Sequence, residues 1–263
     1  MYKSSADTRV KSTFANGQTF HVLDLPNNLA YKDALFALGL KGPVPSAVII
    51  GGASKMSPQS QSRLLQVFTQ VLAPLAESLG ITVFDGGTDA GVIHMMGQAR
   101  HHIGGSFNLV GVVPRGKAQL PERLSTAGVG INSESGCQLE PHHTHFVLIP
   151  GDDWGSESKW LAEFASILAG PCPSLTLLIN GGKISLVDLQ LNLLTGRRAM
   201  VLAGSGRLAD KIAKTIDGSD PTDDPTIQNL VNTYYPNYLS VFDLSSPLDG
   251  LTQQLQAYFT PAA

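Results

Sequence analysis

Ile81-Thr82-Val83-Phe84-Asp85-Gly86-Gly87-Thr88 is a short β-branched run that stops at a glycine pair, and Ala90 to about His102 follows it with helical character. The pattern recurs along the chain. Ser46-Ala47-Val48-Ile49-Ile50 runs into Gly51-Gly52 and then a helix-like stretch from about Pro58 to Leu79. Phe107 to Val113 ends at Pro114-Arg115-Gly116, and His145 to Ile149 ends at Pro150-Gly151, with Trp154 to Leu168 reading as helix. Leu175 to Ile179 meets Gly181-Gly182 before Ile184 to Leu194, and Ala199 to Leu202 meets Gly204-Ser205-Gly206 before Arg207 to Ile216. Leu239 to Phe242 and Leu248 to Phe259 close the series. Apolar runs of this length without alternation suit strands covered on both faces, and their alternation with helices suits a parallel sheet. The expected fold is α/β, a Rossmann-like doubly wound and mostly parallel sheet with helices on both faces. No linker divides it, so residues 19–263 are expected to form one domain, with the polar residues 1–18 as a flexible tail. Lys117 to Thr144 breaks the rhythm and reads either as a lid or as disorder, whereas Asp217 to Thr226 reads as a solvated connection.

The composition excludes several classes. Of 263 residues, 43% are hydrophobic, and 18 Lys and Arg against 21 Asp and Glu give a net charge of −3. That balance supplies no bulk attraction to nucleic acid or an anionic membrane. Two cysteines, Cys137 and Cys172, make neither a disulfide framework nor a zinc ribbon and suit a reducing compartment. The N-terminus lacks the apolar stretch of a signal peptide, and no run of 18 apolar residues occurs, so a cytoplasmic location is expected.

Many of the 27 glycines are paired, and the pairs fall at the ends of apolar runs, where a parallel sheet collects its ligands outside the carboxyl ends of the strands. There a glycine admits a positive φ and a close ligand, and the following helix offers free N–H groups and a positive dipole end to a phosphate or carboxylate. Most named motifs fail. Gly182-Lys183-Ile184 lacks the upstream glycine and the hydroxyl residue of a P-loop, and Gly52-Ala53-Ser54-Lys55-Met56 has only the first half of a nucleophile elbow. Gly204-Ser205-Gly206-Arg207-Leu208-Ala209 fits the relaxed dinucleotide pattern, but the acidic residue expected on the next strand would be Asp243, far beyond the usual spacing of about 20 residues. A metal reading would join His143 and His145, on one face of an extended segment, to Glu140 or Cys137; no fixed ligand spacing supports it, and polar lining of a pocket is preferred. His101 and His102, at a helix end, favour the C-terminal dipole.

Taken together, Val48 to Gly52, Phe84 to Ala99 and Gly111 to Gly116 resemble the start of the SLOG superfamily, and more closely its LSDAT branch, which includes the N-terminal cytosolic region of TRPM cation channels. Leu139 to Phe146 is similar to that branch's His-x-His-Phe strand entry, and Gly155-Ser156-Glu157 to its Gly-x-Glu helix start. Ile179 to Gly182 and Ala203 to Asp210 are similar to its two later glycine turns. The resemblance runs in order over about residues 46 to 214. It implies a stand-alone, bacterial-type domain that senses a nucleotide-derived ligand: ADP-ribose, cyclic ADP-ribose or a related NAD metabolite. It implies no further cofactor. Lonely Guy phosphoribohydrolases, more distant relatives, cleave nucleoside monophosphates through Pro-Gly-Gly-x-Gly-Thr-x-x-Glu. The comparable stretch, Pro150 to Lys159, carries an extra residue and has Lys159 where the catalytic glutamate is expected.

The ligand-binding candidates are then Gly51, Gly52, Ala53, Gly86, Gly87, Thr88, Gly91, Arg115, His143, Asp152, Trp154, Gly155, Ser156, Glu157, Gly181, Gly182, Gly204, Ser205, Gly206 and Arg207. Thr88 would cap its helix or offer a hydroxyl to phosphate, and Arg115 would grip a diphosphate or face solvent. Arg207 opposes the dipole of its own helix, which an anion would make tolerable. Asp152 and Asp153 would meet ribose hydroxyls or cap the helix, and Trp154 would stack on a base or join the core. Glu157 is the candidate catalytic residue if the chain hydrolyses a ribosyl bond. Three functions follow: a receptor for a nucleotide messenger, preferred because the cradling turns are intact while the hydrolase motif is broken; a ribosyl hydrolase acting on NAD or a nucleoside monophosphate; and a strand-binding relative of the DNA-processing protein A family, disfavoured by charge and by 7% aromatic content. Expected partners are the small molecule, a homo-oligomeric copy and an effector protein, with neither nucleic acid nor membrane.

Overall fold

A computed structural model describes residues 9–26, 29–120 and 136–260. In chain order the strands are β1 (Arg9–Thr13), β2 (Thr19–Asp24), β3 (Ser46–Gly51), β4 (Thr82–Asp85), β5 (Leu109–Pro114), β6 (Ala118–Gln119), β7 (Cys137–Gln138), β8 (His145–Ile149), β9 (Ser174–Ile179), β10 (Arg198–Ala203) and β11 (Leu239–Asp243). The helices are α1 (Tyr31–Leu38), α2 (Pro58–Gln66), α3 (Ala73–Leu79), α4 (Gly91–His102), α5 (Ser158–Ala169), α6 (Lys183–Leu194), α7 (Arg207–Asp217), α8 (Pro225–Tyr234) and α9 (Leu248–Phe259). Nine strands form one sheet in the order β1-β2-β8-β5-β4-β3-β9-β10-β11, and β6 and β7 make a small separate pair. Within the large sheet every pairing is parallel except β1 with β2. The doubly wound α/β fold expected from the glycine-ended runs is therefore the observed one.

The apolar runs form strands because helices bury both of their faces. On one face, Val48, Ile50, Phe84, Val110 and Val147 pack against Leu35 and Leu38 of α1, Phe164 of α5, Leu189 of α6, Ile212 of α7 and Leu230 of α8. On the other, Ile49, Val83, Leu109 and Leu177 pack against Leu64, Phe68, Met96 and Leu251. Each such side chain contributes about 1.5–3 kcal/mol of burial.

Three details differ from the expected layout. The stretch 1–18 is not a loose tail over Arg9–Thr13, which pairs with β2 from Arg9 opposite Leu23 to Thr13 opposite Thr19. A polar strand is tolerated there because it is the sheet's edge. The helix expected from Trp154 starts only at Ser158, since Gly151 (φ +142°) and Gly155 (φ +98°) hold the chain out of helical geometry. Between Pro58 and Leu79 the helix is one rod with a π-helical middle, Val67–Leu72. Pro74 lacks an N–H and crowds the carbonyl four residues back, and the wider π turn accommodates both. Of the segment Lys117 to Thr144, the part from 121 to 135 lies outside the described residues.

Candidate functional site

The chain advances from β3 through β4 and β5 to β8 in one direction, then returns to place β9 on the other side of β3 and continues to β10 and β11. The reversal lies between β3 and β9, and such a switch point opens a crevice at the carboxyl ends of the strands. Gly51 (φ +134°) is register partner of Ile179 there, and a Cβ on it would collide with the Ile179 carbonyl. Gly91 (φ +55°), opening α4, packs so closely on the same turn that a Cβ would lie 3.1 Å from the Ala53 nitrogen.

Three turns are tied together across this crevice. The Asn180 N–H donates to Ser205 Oγ (2.7 Å), and Asn180 Nδ2 donates to the carbonyls of Ser205 (2.8 Å) and Ser54 (3.3 Å). Arg207 Nη1 donates to Ser54 Oγ at 2.8 Å. Lys55 (φ 60°), Asn180 (φ 56°) and Arg207 (φ 48°) are, among the described residues, the non-glycine positions with left-handed backbone, and all three belong to these turns. Asn tolerates that region, but for Lys and Arg it costs about 1–2 kcal/mol each. Strain thus collects at one place, as it does at ligand-binding sites. Asn180 Oδ1 is also buried without a hydrogen-bond partner, an acceptor that a ligand donor would satisfy.

The expected ligand residues divide accordingly. Gly51, Gly52, Ala53, Gly91, Gly181, Gly182, Ser205, Gly206 and Arg207 are brought to the switch point or its adjoining turns. Gly204 borders a cleft beside them. Gly155 approaches from the β8 side, its missing Cβ 3.8 Å from the Ile184 side chain at the start of α6. Ser54, Lys55 and Asn180 were not singled out, although Asn before two glycines is itself a left-handed turn signal.

Other candidates have different work. Arg115 is ion-paired with Asp24 and donates from Nη2 to the Leu25 carbonyl (2.9 Å), so it is neither a free diphosphate clamp nor a solvated charge. Asp152 lies against Gly116 and leaves the helix cap to Glu157. Ser156 packs against Gly151, and Trp154, 40% exposed, is not core. Thr88 is buried and bridged to Leu139, and α4 is capped at Ala90 without a side-chain bond, so Thr88 does not cap that helix. Gly87 is buried on the same turn, under residues 138–140: Asp89 N–H donates to the Gln138 carbonyl (2.8 Å) and Glu140 N–H to the Gly87 carbonyl (3.0 Å).

His143 is fully buried between two carboxylates rather than lining a pocket. Its Nε2–H donates to Asp85 Oδ1 and its Nδ1–H to Glu140 Oε2, both at 2.9 Å. Burial opposes the imidazolium, but the facing Asp85 and Glu140 outweigh it and raise the pKa to about 9. Asp85 Oδ1 also accepts from the Gly87 N–H (2.8 Å), so His143 orders the turn after β4 from below. His145 instead stacks on His21 and bonds Thr144 Oγ1. Burial, aided by the neighbouring His21, Arg9 and Arg100, lowers its pKa to about 3. The two histidines therefore do not converge as metal ligands. Asp89, His94 and Glu140 do bring donor atoms within 4.8 Å of one another, but Glu140 is occupied by bonds from His142 and His143.

Glu157, at the head of α5, is buried, and its Oε2 accepts from the Gly155 N–H at 2.8 Å. Burial pushes its pKa up. Beside it on α6, Asp188 is pushed to about 7, first by burial and then by the Glu157 charge, and its Oδ1 has no hydrogen-bond partner. Asp188 was not anticipated, because nothing in the sequence pairs it with Glu157.

A mostly parallel sheet with its polar, strained turns gathered at the switch point defines a Rossmann-like α/β domain. The family model described as "SLOG in TRPM, prokaryote" matches residues 44–247, and the chain belongs to that family. Transient receptor potential cation channel subfamily M member 2 of Mus musculus is 23% identical over 220 residues, 73% of this chain and 14% of that protein. The Rattus norvegicus protein is 24% identical over 202 residues, 65% of this chain and 13% of its own length. The chain thus spans only a small part of these channels. The X-ray structure of TM1055, a structural genomics target, superposes with a TM-score of 0.49 at 18% identity, covering 80% of this chain and 99% of that one. Among the described residues no helix is long and apolar enough to cross a membrane.

Proposed function

We propose that this chain binds a phosphorylated, nucleotide-derived ligand in the crevice between Gly51–Lys55 and Asn180–Arg207, and that it acts as a sensor. The carrying observation is Arg207. Its backbone is left-handed, at φ 48°, and its cation stands at the positive end of α7. Both features destabilise the free protein, and a bound anion offsets the second by pairing with the guanidinium and the helix N-terminus together. The SLOG and LSDAT relatives that the sequence resembles suggest ADP-ribose, cyclic ADP-ribose or a related NAD metabolite. Occupancy would be passed to an effector or to a second copy.

The test is thermal stabilisation by ADP-ribose, cyclic ADP-ribose, NAD and AMP, each mixture then separated on a column. The receptor reading expects stabilisation, loss of it in Arg207→Ala, and intact ligand. Stabilisation that Arg207→Ala leaves unchanged would move the site elsewhere.

A second reading, hydrolysis of a ribosyl bond, is favoured by one observation: burial raises the pKa of Glu157, which lies beside Asp188, itself raised to about 7. It expects free base in the column fractions and none with Glu157→Gln.

A further inference from the structure

Asp243 and the Gly204-Ser205-Gly206 turn lie far apart in the chain, yet the sheet unites them. Ala203, the last residue of β10, is the register partner of Asp243, the last of β11. In a dinucleotide-binding unit the glycine turn admits the phosphates, and an acidic side chain at the end of the neighbouring strand holds the ribose hydroxyls. The sequence interval is long here because two helices, α7 and α8, occupy a crossover that ordinarily holds one. A cleft of about 680 Å³ opens at this place, lined by Gly204, Asp243 and Ser245 on one side and Ser60, Arg63 and Gln66 of α2 on the other. Asp243 Oδ1 accepts from the Ser245 N–H (2.7 Å), which fixes the carboxylate, and it lies 3.9 Å from the position a Cβ on Gly204 would take. Asp243 is exposed, and among the described residues no ion pair engages it. Arg63, on the facing wall, forms no ion pair with it: its Nε donates to the Leu244 carbonyl (2.8 Å), its Nη2 to the Ser246 carbonyl (2.5 Å) and its Nη1 to Gln66 Oε1 (3.1 Å). The guanidinium is engaged in bracing the loop after β11.

We infer that this cleft is the nucleoside subsite, with Asp243 accepting hydrogen bonds from the 2′- and 3′-hydroxyls of the ligand's ribose. The inference rests on the nucleotide reading above and adds the subsite and its selectivity. The ligand runs from the anion seat at Arg207 along the Gly204–Gly206 turn into the cleft. Hydroxyl bonds to a charged acceptor favour the diol, and the same charge repels a phosphate on the 2′-oxygen.

The experiment measures the Kd of ADP-ribose, of its analogue lacking the adenosine 2′-hydroxyl, and of its adenosine 2′-phosphate, on the wild type, Asp243→Asn and Arg207→Ala. The wild type is expected to prefer ADP-ribose over both analogues by about tenfold or more. Asp243→Asn, which keeps an oxygen for the Ser245 N–H, is expected to lose most of that preference and to bind the 2′-phosphate better than the wild type does. Equal wild-type affinity for the three ligands, unchanged in Asp243→Asn but lost in Arg207→Ala, would overturn the subsite and leave the nucleotide reading standing. Failure of the wild type to bind any of the three would overturn both.

Discussion

Arg207 is placed where a free protein gains nothing from it: left-handed backbone, a cation at a helix N-terminus, an exposed side chain held by one bond to Ser54. Arg207→Gly relieves the backbone and is expected to stabilise the ligand-free protein by about 1 kcal/mol while weakening nucleotide binding. Urea unfolding alongside titration checks this, and a destabilised variant with full affinity would contradict it. His143 is the converse case. Its removal leaves Asp85 and Glu140 facing each other in the interior, so His143→Leu is expected to cost about 3 kcal/mol or more and to loosen the Asp85–Gly87 turn. The helix-end charge of Arg207 was legible from its position after Gly206, but its positive φ was not. His143 was misread as pocket lining because the partner that buries it, Asp85, comes from a distant strand.

At the level of elements, the helix α4 and the segment 136–140 are fitted to each other. Ordinarily Gly→Ala inside a helix is favourable by about 1 kcal/mol. At Gly97 the sign is expected to reverse, because a Cβ there would collide with the buried Glu140 carboxylate that holds His142 and His143. Gly97→Ala should therefore destabilise by about 2 kcal/mol, read as a lower urea midpoint; a variant as stable as the wild type would contradict the packing of Glu140 on α4. Glycine-ended strands and their helices were legible because burial on both faces leaves a continuous apolar signature. The late start of α5 was not, since Trp154-Gly155-Ser156 is compatible with helix in composition and is excluded only by the φ of Gly155. Nor was the Asp243 contact, which depends on the register of β10 with β11.

For the molecule as a whole, the buried ionisable groups set the pH dependence of stability. His143 holds its proton up to about 9 in the folded state against 6.5 unfolded, so the stability it contributes is complete below 6.5 and is lost as pH rises toward 9. Asp188, at about 7 folded and 3.8 unfolded, also costs stability with rising pH across that interval. His145, at about 3 folded, works the other way: stability rises with pH from 3 to 6.5 and is then complete. Above 6.5 only the falling contributions of these three remain. Chemical denaturation at pH 6.5, 7.5 and 8.5 is expected to show progressively lower stability, whereas stability rising over that range would contradict the charged His143 network. The doubly wound class follows from the alternation of runs and turns, whereas the switch point is set by the strand order, and most glycines named at strand ends do gather at one edge. What separates the crevice from the Arg115 and His143 neighbourhoods is the strand order, which places β5 and β8 away from β9 and β10.

The most direct test is a calorimetric titration of ADP-ribose into the wild type and Arg207→Ala, with both shown to be folded. Saturable binding by the wild type and a loss of at least about tenfold in the variant are expected. No heat with the wild type, or the same affinity in both proteins, would contradict a nucleotide site at the Ser54–Asn180–Arg207 crevice.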